Sequence, residues 1–285
     1  MDAVKKGKGR DAEPSGHDSK PFAVTVEVVP PAGPDAEPIL RRLASINKLP
    51  LDGYSVATNP VARPRMSALA LSALIQERLD KPATLHCTTR DHNRLSLQGL
   101  LWGARALGIQ SVLVATGDRV ALDQRNGTSF VHDLDVYELV QMARAVNLRT
   151  GVVLDPRPES NSLLREVRRM EQKVKAGAQF IVTQPVYDEE GAAVLFDATK
   201  HLSIPVILGI LPLRTARHAR FLHDRVAGIT VPERIQRRLR EASDPVSEGM
   251  AGARNMLAIA RQWFAGACIM PPFDHYEALA GILGS

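Results

Sequence analysis

Eight short apolar runs, alternating with helical patterns from residue 22 almost to the C-terminus, most narrow the folds open to this chain. They are 22–29 (FAVTVEVV), 53–57 (GYSVA), 83–87 (ATLHC), 111–116 (SVLVAT), 151–154 (GVVL), 179–183 (QFIVT), 205–210 (PVILGI) and 266–270 (GACIM). Unbroken apolar runs of this length read as strands buried on both faces, the state of parallel strands beneath crossover helices. The stretches between them carry helical spacing. In 93–107, Leu97, Leu100, Leu101, Ala104 and Leu107 share one face; in 133–146, Val136, Leu139, Val140, Ala143 and Val146 do. Val167, Met170 and Val174 do so in 159–176, and Ala253, Met256, Leu257, Ala260, Trp263 and Phe264 in 250–264. Eight β-then-α units in about 260 residues match an α/β fold of the (β/α)8, TIM-barrel type better than an open doubly wound sheet. No G-x-G-x-x-G follows the first strand, which argues against a Rossmann domain. No Pro/Gly/Ser linker divides the chain, so the expectation is one barrel domain over 21–285, behind a disordered tail at 1–20 with no apolar signal core.

Composition excludes several partners. The 36 basic and 31 acidic residues are interspersed, so the net charge of +5 reads as a mixed solvated surface, with an anionic small ligand equally compatible. Aromatic residues are 5% of the chain and do not interleave with basic clusters, so a nucleic-acid stacking platform is not expected. No apolar stretch approaches the roughly 18 residues of a membrane span. Cys87 and Cys268 have no metal-ligand spacing, so no metal is expected and a reducing, cytoplasmic compartment is.

In repeating α/β folds chemistry sits where strands end. The run Val112-Leu113-Val114-Ala115-Thr116-Gly117 stops at Asp118, and other runs end at Glu27, Asn59, His86, Gln184 and Pro212. Glu27, flanked by valines, loses hydration; that raises its pKa and suits a general acid near neutrality, or else it pairs with a barrel arginine. His86 either binds a cofactor or acts as a base, or is simply hydrogen-bonded. Cys87 reads as a buried thiol rather than a nucleophile, since no partner pattern accompanies it. Gly117 lets backbone approach a ligand and Asp118 adds a fixed charge that stabilises a nearby cation; the alternative for Asp118 is a helix cap or turn. Gln184 offers both a donor and an acceptor to a heterocycle, or only satisfies a loop. Arg165, Arg168, Arg169, Lys173 and Lys175 form a solvated helix face, from which one could reach a phosphate.

In order along residues 22–283, these pieces resemble the methylenetetrahydrofolate reductase family. The matching runs are Val26-Glu27-Val28-Val29-Pro30-Pro31, His86-Cys87-Thr88-Thr89-Arg90-Asp91-His92-Asn93-Arg94, Ala115-Thr116-Gly117-Asp118, Lys173-Val174-Lys175-Ala176-Gly177-Ala178, Thr183-Gln184-Pro185-Val186-Tyr187-Asp188 and Gly209-Ile210-Leu211-Pro212-Leu213. Leu213-Arg214-Thr215-Ala216-Arg217 and Met270-Pro271-Pro272-Phe273 are most similar to the reductase half of two-domain proteins that also carry a homocysteine methyltransferase. The resemblance implies a (β/α)8 barrel holding FAD, with hydride passing from NADH or NADPH to the flavin and then to 5,10-methylenetetrahydrofolate. It assigns Glu27 as the acid that opens the methylene bridge to an iminium cation, Asp118 as the carboxylate stabilising that cation, and Gln184 as a pterin contact. It assigns His86, Thr116, Gly117, Asp118, Phe130, Lys173, Arg157 and Glu159 to the flavin.

Four positions depart from the family pattern. Ala57 stands where many members place a flavin-contacting Thr, Thr116 where an Arg is common, and Val153 where an aromatic often lies. His275 stands about where an Arg meets the folate tail, and is the expected substrate contact there. The first three lose flavin contacts, so weak FAD binding is expected, and a flavin-free enzyme passing hydride directly is the rival within the class. A non-catalytic folate-binding or partner subunit is a second rival; retention of Glu27, Asp118 and Gln184 together argues against it. A methyl-transferring pterin barrel is a third, which the Gly117-Asp118 and Thr183-Gln184 pieces do not resemble. The sequence leaves open the choice of NADH or NADPH, the direction of the reaction, the polyglutamate tail and the oligomeric state, a homo-oligomer included.

Overall fold

The protein's structure, a computed structural model, describes residues 22–118, 129–131, 133–155, 162–226 and 228–284. The strands are β1 (Ala23–Val28), β2 (Gly53–Val56), β3 (Ala83–Thr88), β4 (Ser111–Ala115), β5 (Arg149–Leu154), β6 (Phe180–Pro185), β7 (Val206–Ile210) and β8 (Gly266–Ile269). Each pairs in parallel with the next, and β8 pairs with β1 through Val26↔Ile269, which closes the expected (β/α)8 barrel. Closure leaves no exposed sheet edge and turns every strand C-terminus toward one mouth. The helices are α1 (Glu37–Ile46), α2 (Ala68–Leu79), α3 (Arg94–Ala106), α4 (Val136–Ala145), α5 (Leu163–Lys175), α6 (Glu189–Thr199), α7 (Ala216–Arg225), α8 (Glu233–Glu241), α9 (Pro245–Trp263) and α10 (Ala278–Leu283).

Strand alternation divides the core into two shells. Val24, Val26 and Val28 of β1 pack outward beneath the helices, as do Ala267 and Ile269 of β8. The inward positions differ around the ring. Leu113, Val153, Phe180, Val182, Ile207 and Cys268 form an apolar cluster on the β4-to-β8 side. Thr25, Glu27, Ser55 and His86 put polar groups on the β1-to-β3 side. Gly151 makes room for this arrangement, since a Cβ there would lie 2.1 Å from the Phe180 ring. At the mouth, helix starts are fastened by Asn93, Asp135, Asp188 and Thr215, whose side chains each accept a backbone N–H one turn on.

Some boundaries differ from the sequence reading. The last long helix starts at Pro245 rather than 250, because Asp244 caps it and proline suits its first turn. Leu107 lies past the end of α3 and is half exposed, since the chain leaves the helix through Gly108 at φ +76°. Arg165, Arg168, Arg169 and Lys175 are exposed as expected of a solvated face, whereas Lys173 is not. The expected tail at 1–20 lies outside the described residues. Among the described residues no helix is long and apolar enough to cross a membrane, and no cluster of metal-binding side chains forms.

Candidate active site at the strand mouth

Glu27 is the last inward-facing residue of β1, in register with Ser55 of β2. Burial pushes its carboxyl up to about 7, and the charge of Asp118 adds to the rise. Among the described residues Glu27 has no ion-pair partner, so the arginine-paired alternative finds no support. Beneath it lies the Cys268 thiol, hydrogen-bonded to Thr25 and Ser55 and pushed up to about 12 by burial, with Glu27 contributing. Ser55 Oγ stands 2.7 Å from His86 Nε2. Burial holds His86 down to about 4, so a neutral imidazole shares one proton with that hydroxyl. Tyr276, after β8, is buried, with its hydroxyl raised by burial and then by Asp274 and Glu27.

Asp118 is set by three loops at once. Gly117 adopts φ +88°, and a Cβ there would approach Arg90 Cβ to 2.9 Å and Thr88 Cβ to 3.2 Å. Only glycine fits both the conformation and the space. The Asp118 carboxylate accepts the backbone N–H of Val61, a β-branched residue held at φ +49° in the β2–α2 loop. That is a strained conformation for valine. Arg90, its side chain 4% exposed, fills the space between the loops. Its Nε and Nη2 each lie 2.6 Å from an Asp91 carboxylate oxygen, while Nη1 donates to the Asp118 carbonyl at 3.2 Å and Nη2 to the Asn59 carbonyl at 3.0 Å. Asp118 is therefore neither the cap of a described helix nor an isolated turn residue.

The remaining expected residues spread around the rim. Gln184 in β6 packs its amide beneath Gly228, where a Cβ would lie 3.1 Å from Nε2. Phe130 is half-buried, and its neighbour Val131 donates to the Arg90 carbonyl at 2.9 Å. Thr116 is exposed at the end of β4. Lys173 reaches from α5 to the Val153 carbonyl at 2.9 Å, and burial lowers it to about 8. His275 joins Arg214, through Nε2, to Glu277, through Nδ1 at 2.6 Å. Arg157 and Glu159 lie outside the described residues. Cys87 faces the helices, fully buried and raised to about 12, as an inert thiol. Ala57 is buried and Val153 belongs to the apolar lumen cluster.

Glu27, Ser55, His86, Cys268, Tyr276 and Asp118 thus come together, with Gln184 on a different strand and the Arg214–His275–Glu277 chain between β7 and β8. The sequence reading missed Ser55, Val61, Arg90, Arg214 and Tyr276 as partners, and named Asn59 only as the end of an apolar run. One signal was present: Arg90 and Asp91 are adjacent, directly after a buried strand. A cavity of about 780 Å³ lies at the opposite, N-terminal end of the barrel. There Lys81 and Arg144 donate to the Leu51 and Leu148 carbonyls and Arg149 covers the Phe180 ring, so its cations hold strand starts together. An enclosed acid poised near neutrality, facing a fixed carboxylate, suits proton donation coupled to a developing cation.

A yeast protein, methylenetetrahydrofolate reductase 2 of Schizosaccharomyces pombe, is 28% identical over 193 residues, covering 61% of this chain and 30% of its own length. The 5,10-methylenetetrahydrofolate reductase of Pectobacterium carotovorum subsp. carotovorum is 24% identical over 196 residues, 67% of this chain and 64% of that protein. The chain thus spans less than two thirds of either relative. Among solved structures, an uncharacterized protein from Clostridium thermocellum that binds two copies of 5-methyl-5,6,7,8-tetrahydrofolic acid superposes with TM-score 0.68 at 15% identity, covering 94% of this chain and 95% of that one. A tryptophan synthase α-subunit from Pyrococcus furiosus reaches only 0.53 at 12% identity, over 92% and 98%, and shares the fold alone. The family profile described as methylenetetrahydrofolate reductase matches residues 14–266, and the chain belongs to that family.

Proposed function

We propose that the protein reduces 5,10-methylenetetrahydrofolate to 5-methyltetrahydrofolate with hydride drawn from NADH or NADPH, in the cytoplasm. The observation that carries this reading is Glu27, a carboxyl raised to about 7 beside Asp118 at the mouth of a barrel of this family. The Clostridium thermocellum protein of the same fold, which binds 5-methyltetrahydrofolate, supports folate as the ligand class. Glu27 keeps its proton near neutrality and delivers it to the folate as the methylene bridge opens. Asp118, held at fixed distance, stabilises the iminium cation that results. Gln184 reads the pterin with one donor and one acceptor. His275, steered by Arg214 and Glu277, meets the anionic folate tail, and Arg214 adds the guanidinium that suits a carboxylate.

The residues around β3 and β4 fit FAD. Gly117 keeps the strand end free of side chain, and the Thr88 hydroxyl beside it is buried without a partner. His86, Thr116, Gly117, Asp118, Phe130 and Lys173, with Arg157 and Glu159, are the residues that would hold it; bound there, FAD supplies the hydride carrier. Ala57, buried and apolar, and Val153, committed to the lumen, favour a second reading in which hydride passes directly from the nicotinamide.

The test is NAD(P)H oxidation by the purified protein with 5,10-methylenetetrahydrofolate, followed by its visible spectrum. Formation of 5-methyltetrahydrofolate with flavin absorbance is expected. Turnover without flavin selects the direct route, and folate binding without turnover leaves a binding subunit.

A further inference from the structure

We propose that Arg90 is a positioning residue that fixes the Asp118 charge relative to Glu27. The inference rests on the reading of Asp118 as the cation-stabilising carboxylate.

One guanidinium makes four contacts to three separate loops. It grips both oxygens of Asp91, donates to the carbonyl of Asp118 itself, and donates to the carbonyl of Asn59 two residues before Val61. Val61 in turn gives its N–H to the Asp118 carboxylate. Asn59 adds a bond from its amide to Asp91 at 3.2 Å and accepts the Arg65 N–H at 3.0 Å. Arg90 thus holds both ends of the Asp118 side chain's surroundings: the peptide from which it projects and the loop that caps its carboxylate. Gly117, where a Cβ would lie 2.9 Å from Arg90 Cβ, leaves room for Arg90 to pack against this turn. A planar fork can span a carboxylate and two carbonyls together, whereas an ammonium is a point donor on a flexible stem. Because Asp91 neutralises the guanidinium at contact distance, Arg90 acts through geometry rather than through its own field.

Glu27 reports that geometry, since burial raises its carboxyl and the neighbouring Asp118 adds to the rise. The other titratable groups facing Glu27 are Cys268, pushed up to about 12 by burial, and Tyr276, raised by burial; His86, bonded to Ser55 on the neighbouring strand, is held down to about 4 by burial. All three stay in one protonation state while Glu27 titrates near 7.

The experiment is an infrared titration of the protonated Glu27 carboxyl, identified as the band lost in Glu27→Gln, in wild type, Asp118→Asn, Arg90→Lys and the double variant. Arg90→Lys keeps the positive charge and is the variant expected to fold; melting temperatures of all four are recorded. Asp118→Asn is expected to lower the Glu27 midpoint by about 0.5–1 pH unit. Arg90→Lys is expected to lower it part of the way and to slow the folate step about 10- to 100-fold through displacement of the charge. In the Asp118→Asn background Arg90→Lys should move neither the midpoint nor the folate rate further, because its effect passes through the missing carboxylate. Additive effects in the double variant, or an Arg90→Lys midpoint equal to wild type, overturn the inference. An Asp118→Asn midpoint equal to wild type overturns the coupling itself, and a normal midpoint shift without folate turnover overturns only the reductase reading.

Discussion

Glu27 carries opposite consequences for chemistry and for stability. As the proposed acid it works while protonated, so the folate step should fall as pH rises through about 7. Glu27→Gln keeps the shape and removes the proton; folate turnover should drop by about 10²-fold or more, and a loss within about threefold would show that another group is the acid. The sign for stability follows from linkage. The folded-state pKa lies above the unfolded value of 4.5, so the native protein holds an extra proton between 4.5 and about 7 and loses stability as pH rises across that window. The glutamine variant should therefore melt with wild type near pH 4 and above it at pH 8, a divergence that thermal melts across pH will show or exclude. Asp118→Asn tests the cation. A charge pair at about 4 Å is worth roughly 4 kcal/mol at an effective dielectric near 20, before desolvation. A loss of about 1–3 kcal/mol in the folate half-reaction is expected, and an unchanged stopped-flow rate would remove the electrostatic role.

Strands were legible in the sequence and helices less so, for a physical reason. All eight strands fall within one or two residues of their apolar runs, because a strand buried on both faces has no polar phase to obscure it. α2 (ALALSALIQERL) is apolar almost all round and shows no clean 3.6 repeat, while α8 (ERIQRRLRE) is amphipathic but short, with Ile235 and Leu239 as its only apolar positions. Glu27, His86, Gly117 and Asp118 stood out because strand ends mark them. Ser55, Arg90 and Tyr276 did not, since their partners lie on other strands and loops; Ser55 meets His86 across 31 positions and Arg90 meets Asn59 across 31. At this scale Gly151 offers a test. A methyl there must displace the Phe180 ring from the lumen, so Gly151→Ala should cost about 1–3 kcal/mol by denaturant unfolding while leaving the Glu27 side of the barrel in place. A variant as stable as wild type would mean that the lumen is not tightly filled on that side.

For the whole molecule, the proposed FAD reading turns on how firmly the barrel mouth would hold a flavin. On that reading, Ala57, Thr116 and Val153 stand where the family resemblance implies flavin contacts, and each missing hydrogen bond is worth about 0.5–1.5 kcal/mol. Two or three together weaken binding by roughly 10- to 10³-fold. FAD should bind, be lost in part during purification, and restore activity when added back. Calorimetry showing no FAD binding beside full activity in flavin-free buffer would promote direct hydride transfer. The enclosure of Glu27 has one more outcome, for the way such a protein changes under selection. Ionising an enclosed carboxyl lowers stability at every pH above its midpoint, and proteins generally sit close to the stability they need. A library of variants screened only for survival of heating at alkaline pH should therefore enrich replacements of Glu27 early, and its fittest members should be the ones that no longer turn over folate.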